Sequence, residues 1–202
     1  MIKVVDLNKR FEDKIIFDNL NVTINTGEFV VVAGKSGCGK TTFLNMLGGI
    51  EKADTGKIVV DDLEITKEKN LKDYYLYKVG FLFQNFALVE NRTVEENIEF
   101  VQKKSRTGRS VEEVLKQVGL EDKIREKVYK LSGGEQQRVA LARLLYKKCD
   151  IILADEPTAC LDAANADIVL DLLHQMNKQG KTVVLVTHNE MIISKEKRVI
   201  RL

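Results

Sequence analysis

A chain of 202 residues with 44% apolar and 31% charged residues has enough material to bury one core, with room for a subdomain. The net charge of +2 is too small to argue for nucleic acid, and lysine groups such as Lys103-Lys104 lack the interleaved aromatics of a nucleic-acid surface, so no nucleic-acid partner is expected. Cys38, Cys149 and Cys160 fall at unrelated spacings, which argues against a metal cluster or disulfide framework, and the absence of an 18-residue apolar run or a signal-type start predicts a cytosolic chain that does not itself cross a membrane.

The first 80 residues contain the short alternating stretches "IKVVDL", "NVTINT", "GKIVVDD" and "KVGFLFQ", which predict an antiparallel flank. Within them Phe29 to Ala33 is continuously apolar, as in a parallel strand buried on both faces. The segment "GKSGCGKT", residues 34 to 41, follows that strand and precedes the helix-like Thr42 to Leu47. Strand, glycine-rich loop and helix are the context that G-x-x-x-x-G-K-[ST] requires. Backbone N–H groups from Gly34 through Lys35, Ser36, Gly37, Cys38 and Gly39 to Lys40 would wrap phosphates, Lys40 would reach the terminal ones, and the Thr41 hydroxyl would bind Mg²⁺. Thr42 completes the nucleotide-binding set at the start of the helix. Cys38, beside a helix N-terminus and a lysine, reads either as a thiol of lowered pKa or as a small residue filling a small slot.

Gln84 closes "VGFLFQ", a polar residue at the end of an apolar strand. After it Phe86, Leu88 and Val89 either line a groove for a short helix of a partner or pack into the core. Residues 86 to 147 have little strand character and read as a helical subdomain inserted between 1–85 and 148–202. Thr93 with Glu96 and Ser110 with Glu113 are capping boxes, and the second opens a helix with Val111, Val114, Leu115 and Val118 on one face and Gly119 at its end. The same segment ends in "KLSGGEQQRVALARLL", where Ser132 and Glu135 form a third box ahead of an apolar face of Val139, Leu141, Ala142 and Leu145. Gly133 and Gly134 are poor helix formers, each costing about 1 kcal/mol against alanine in a helix interior. What they offer is close approach of an anion to backbone N–H groups at the positive helix end, a second phosphate cradle.

"IILADEPT", residues 151 to 158, is a buried strand that ends in two carboxylates, so its end must face a cation, water or a cleft. Asp155 suits a Mg²⁺ shell and Glu156 the attacking water, with Pro157, the only proline, restricting Glu156 to extended backbone. Residues 163 to 178 carry a helical apolar face that Gly180 stops, and Thr182 to Thr187 forms a further buried strand leading to His188. The fold expected is a single α/β domain: a P-loop core of RecA type, an antiparallel β flank and the inserted helical segment.

On "GKSGCGKT", "LSGGEQQR" and "IILADEPT" in this order, the chain resembles the ATP-binding subunits of ABC transporters over essentially its full length. The resemblance implies that ATP and Mg²⁺ are the cofactors, that Glu156, His188 and Gln84 are catalytic, and that Gln84 joins Thr41 and Asp155 at the metal. It implies that Phe11 stacks on adenine, that Asp162, ending "CLD", lies in the loop facing the nucleotide, and that Ser132, Gly133, Gly134 and Glu135 close on the γ-phosphate held by a second copy. That would make an ATP-bound homodimer, working with integral membrane permease subunits at the cytoplasmic face. The details resemble lipoprotein, macrolide and bacteriocin exporters, and "FDNLNVTINTGEF" favours peptide or bacteriocin export. A regulatory ATPase that gates a membrane partner, as in cell division, shares every motif named.

Overall fold

The computed structural model describes residues 1–202. The chain opens with a hairpin of β1 (Ile2–Phe11) and β2 (Lys14–Ile24), then β3 (Phe29–Ala33), α1 (Lys40–Leu47), β4 (Thr55–Val60), β5 (Leu63–Glu64), α2 (Glu68–Asp73) and β6 (Val79–Leu82). Helices α3 (Val94–Glu99), α4 (Val111–Gln117) and α5 (Gly133–Tyr146) follow. The chain then returns through β7 (Ile151–Asp155), α6 (Ala163–Lys178), β8 (Thr182–Val186), α7 (Glu190–Lys195) and β9 (Val199–Arg201).

Runs of β-branched residues with no polar side need cover on both faces. They receive it in a five-stranded sheet of order β6-β7-β8-β3-β9, whose neighbours all pair parallel. Alternation splits each strand between two cores. Val31, Ile152, Ala154, Val183 and Leu185 face one that also holds α4, α5 and α6. Val30, Val32, Leu153, Val184 and Val186 face another, shared with α1 and the four-stranded antiparallel sheet β2-β1-β4-β5. The inserted helices have no core of their own, since Val94, Ile98, Val114 and Leu115 pack in the first of these. All three capping boxes are present with both halves bonded, and α4 and α6 stop before the left-handed Gly119 and Gly180.

Two elements depart from the sequence expectation. The stretch "VGFLFQ" does not join the antiparallel flank, because β6 pairs parallel with β7, Val79 with Ile151 through Leu82 with Ala154. Val79, Gly80 and Leu82 are all buried, which an outer flank could not provide. Strand β9 was not anticipated: three residues among charged neighbours, it takes its conformation from pairing with β3, Val31 to Val199.

Gly80 is where β6 meets α5, and a Cβ there would lie 2.3 Å from Leu144 Cδ1 and 3.0 Å from Cys149 Sγ. Gly80→Ala should therefore lower stability by about 1–3 kcal/mol through overpacking. Urea unfolding checks this, and an unchanged midpoint would contradict the packing described.

Candidate active site

Parallel strands leave their C-terminal ends on one edge, where loops can gather chemistry. Here Val32 of β3 and Asp155 of β7 both stand opposite Val186 of β8. The phosphate loop, Asp155-Glu156 and Thr187-His188 therefore leave the sheet side by side. A cleft of ≈ 390 Å³ at this edge is bordered by Ser36, Gly37, Gly39, Lys40, Thr41 and Thr42 from the loop and α1, and by Gln84, Glu156 and His188 from the strand ends. Phe11 and Ile16 of the hairpin complete its rim.

The loop is built to accept an anion. Helix α1 has Gly39 at its N-cap, with φ of 101° and no side-chain cap, so its first N–H groups are left for a ligand. Gly39 must also be small, because a Cβ would press on Ile16 and Phe17 of β2. The Lys40 side chain is buried, its ammonium donating to the carbonyls of Gly34 at 2.9 Å and Lys35 at 3.0 Å. Gly34 and Lys35 thus hold the lysine from behind. Cys38 is only partly buried, and its sulfur fills the space against Gly34, as expected of a small residue in a small slot.

Thr41 Oγ1 donates to Asp155 Oδ1 at 3.2 Å, so two hard oxygen donors stand together at the cleft floor. Burial pushes the Asp155 carboxyl above its ordinary value, opposed by the hydrogen bond from Thr41. A buried carboxylate with so little compensation suits a divalent cation, and the pair fits Mg²⁺ chemistry. Glu156 lies beside it with its side chain 12% exposed, against 72% for His188. His188 Nδ1 is 2.6 Å from Glu156 Oε1, and Thr187 Oγ1 donates to Glu156 Oε2 at 3.2 Å.

Glu156 is not extended, as the following proline led one to expect: its φ is 44°. A non-glycine residue holds such a conformation only where its surroundings over-determine it. Here the Glu156 N–H donates to Val186 O at 2.9 Å, the Ala159 N–H donates to Glu156 O, and His188 and Thr187 fix the carboxylate.

Phe11 stands 44% exposed at the cleft mouth, with the Lys9 ammonium 4.7 Å from its ring centroid. Lys9 is itself buried and held by Glu51, Asp54 and the Lys52 carbonyl. Sequence reasoning missed this support, although Lys9 and Phe11 share one side of a strand by their two-residue spacing.

The second cradle does not border this cleft. Gly133 borders an adjoining depression with Thr41, Gln84, Asp155 and Cys160. Ser132 and Gly133 are exposed. Glu135 is engaged within its own chain. The Ser132 N–H and hydroxyl hold its carboxyl below the ordinary range, and an ionised carboxylate has no donor for a phosphate. It holds the Ser132 N–H and hydroxyl. Asp162 likewise caps α6, accepting from the Asn165 N–H and side chain, and does not border the cleft.

The two glycines differ. A Cβ on Gly133 would meet nothing within 4 Å, while one on Gly134 would lie 2.8–2.9 Å from the Asn165 side chain. Asn165 cannot easily yield, being bonded by Arg138 and to Asp162. Gly134 thus has a reason within its own chain, and Gly133 has none.

Near Gln84, Phe86 and Leu88 pack against the core and only Val89 stands exposed, at 46%. The open apolar groove lies farther along, a cavity of ≈ 520 Å³ with Tyr75, Phe81, Phe83 and Phe100 in its wall and Arg143 and Lys147 beside them. No helix of the chain is long and apolar enough to cross a membrane.

Residues 17–159 match the family model described as ABC transporter. The chain is 37% identical over 209 residues to the macrolide export ATP-binding/permease protein MacB of Campylobacter jejuni, covering all of this chain and 33% of that protein. It thus spans about a third of the MacB relatives it matches. It is 39% identical over 206 residues to the cell division ATP-binding protein FtsE of Bacillus subtilis, covering 98% of this chain and 90% of that one. Among solved structures it is similar, with a TM-score of 0.86 and 35% identity over 100% of this chain and 94% of the other, to the dimeric post-hydrolysis state of the ATP-binding cassette MJ0796 bound to ADP and Pi.

The glycine geometry gives a stability test. Gly133→Ala should leave the urea midpoint unchanged or raise stability by up to about 1 kcal/mol. Gly134→Ala should lower stability by about 1–3 kcal/mol because Asn165 must move. The reverse order would contradict the packing of α5 on α6.

Proposed function

Since this chain belongs to the ABC transporter family and is an ATP-binding ATPase cassette of it, we propose that it powers export through a membrane permease, with a peptide or bacteriocin as cargo. The observation that carries the site reading is the convergence of Lys40, Thr41, Asp155, Glu156 and His188 on one sheet edge. Export is supported by the likeness to MacB, whose name gives it that role, and the peptide class by the segment "FDNLNVTINTGEF".

In this reading the loop N–H groups and Lys40 bind the phosphates, the ammonium exchanging its bonds to Gly34 and Lys35 carbonyls for phosphate oxygens. Thr41, Asp155 and Gln84 would hold Mg²⁺, which would supply charge neutralisation at the terminal phosphates. Phe11 stacks on adenine. Glu156 orients water for attack, its carboxylate kept in place by Thr187, while His188 holds the other oxygen from the open side of the cleft. Ser132 and the N–H groups of Gly133 and Gly134 close on the nucleotide of a second copy, so that binding ATP joins two subunits and hydrolysis releases them. In this reading the permease docks in the aromatic groove beside Arg143 and Lys147, with the chain at the cytoplasmic face of the membrane.

The 39% identity with FtsE favours a second reading, a regulatory ATPase that gates its membrane partner without moving a cargo. Copurification with a murein hydrolase activator in place of a transport permease would select it.

Lys40→Ala should lose ATP binding, read by equilibrium dialysis with the folded variant, since the cation facing the terminal phosphates is gone. Unchanged binding would refute the phosphate loop. Glu156→Gln keeps the shape of the side chain and removes its basicity, so hydrolysis should fall by about 10²–10⁴-fold while ATP stays bound. Size-exclusion chromatography in Mg-ATP should then show a dimer, and a variant that binds ATP and hydrolyses it at the wild-type rate would remove Glu156 from its role.

A further inference from the structure

Gln137 is a fully buried amide one turn into α5, the helix that Gly133 and Gly134 open. Its Nε2 donates to Pro157 O at 2.8 Å, and its Oε1 has no partner. An unpaired buried acceptor costs free energy, and an apolar side chain of the same shape would only move that cost from Gln137 Oε1 to the Pro157 carbonyl. Packing alone does not account for an amide here.

What the amide grips is informative. Pro157 follows Glu156, the residue whose backbone is held at φ of 44°. From the β8 side that conformation is fixed by Val186 O on its N–H and by Thr187 and His188 on its carboxylate. Gln137, from α5, holds the following residue through the Pro157 carbonyl. The next residue of α5, Arg138, bonds Asn165, which in turn bonds Asp162 at the start of α6. Consecutive side chains of α5 therefore clamp both ends of the segment from Glu156 to Asn165.

We propose that Gln137 is a positioning residue for Glu156. By holding the Pro157 carbonyl it keeps the strained backbone in register, and with it the carboxylate that orients the attacking water. The same bond ties that carboxylate to the helix whose N-terminus faces a second subunit. A shift of α5 on engaging a partner's nucleotide therefore reaches the hydrolytic group of its own subunit. The inference rests on the reading of Glu156 given above and goes beyond it in assigning what sets the geometry of Glu156.

The test is steady-state ATP hydrolysis by the full chain carrying Gln137→Met, which keeps length and volume and removes the donor. A displaced reacting group costs on the order of ten- to a hundredfold, so kcat should fall by that factor. KM should stay within about twofold, because ground-state binding is untouched. The urea midpoint should hardly move, since the variant trades one unpaired buried acceptor, Gln137 Oε1, for another, the Pro157 carbonyl. ATP binding measured in the Glu156→Gln background should not respond to Gln137→Met. Should Gln137→Met fail to fold, Gln137→Asn retains an amide one methylene too short to reach Pro157 and should give the same loss in kcat. Wild-type kcat in a folded Gln137 variant, or a fall in kcat matched by a rise in KM, would overturn the proposal. If Glu156→Gln is inactive and the Gln137 variants are not, this inference alone fails; if Glu156→Gln is fully active, the reading of the site fails first.

Discussion

The shared register at Val186 is the constraint on which the site depends. Because Val32 and Asp155 both stand opposite this residue, the phosphate loop, the acidic pair and the Thr187-His188 exit cannot slide relative to one another without breaking a parallel ladder buried on both faces. A one-residue slip would send every alternate side chain to the wrong core. The two apolar clusters thus do more than stabilise the chain. They fix the registration of groups distant in sequence, such as Thr41 and Asp155, to within a hydrogen bond.

On that frame the two glycine-opened helices are prepared differently for anions. Helix α1 has no side-chain cap, and its lysine is buried against loop carbonyls. Helix α5 is fully boxed by Ser132 and Glu135, which uses the Ser132 and Glu135 N–H groups and leaves those of Gly133 and Gly134 outside the box. The first cradle is a cationic cleft within the fold, and the second is an exposed helix end with an ionised Glu135 held against its serine. A phosphate bound only at the second would meet no lysine from its own cradle. Joining the two, one from each of two copies, would give the terminal phosphate both a cation and a second set of donors.

Much of this was legible in the sequence because it rests on short-range rules. The phosphate loop, the three capping boxes, the helix from Ala163 to Lys178 and the buried strands each follow from spacing within about twenty residues, and the structure has them where the spacing puts them. What escaped depends on contacts between distant segments. Pro157 alone predicts an extended Glu156, but bonds from Val186, Thr187 and His188 override that local preference. Glycine at 134 reads in the sequence only as part of a phosphate cradle, and its packing against Asn165, 31 residues on, shows only in the fold. Strand β9 is too short and too charged to announce itself. Gln137 did leave a signal, a glutamine in helical phase with Leu141 and Leu144 on the apolar face of α5.

In the two-subunit reading the two cradles of one chain serve two different nucleotides. This is tested most directly by the ATP hydrolysis of an equal mixture of Lys40→Ala and Gly133→Asp chains. Gly133 has open space around it, so the aspartate leaves the fold intact while placing bulk and negative charge at the helix end, and ATP binding by the Gly133→Asp monomer checks that its own phosphate loop still works. Each variant alone lacks one half of every composite site. The account predicts that neither hydrolyses ATP alone and that mixing restores turnover, through a site made of the phosphate loop of Gly133→Asp and the intact helix end of Lys40→Ala. A mixture as inactive as its parts, with both chains folded and Gly133→Asp unable to bind ATP as a monomer, would place both cradles on one nucleotide and contradict it.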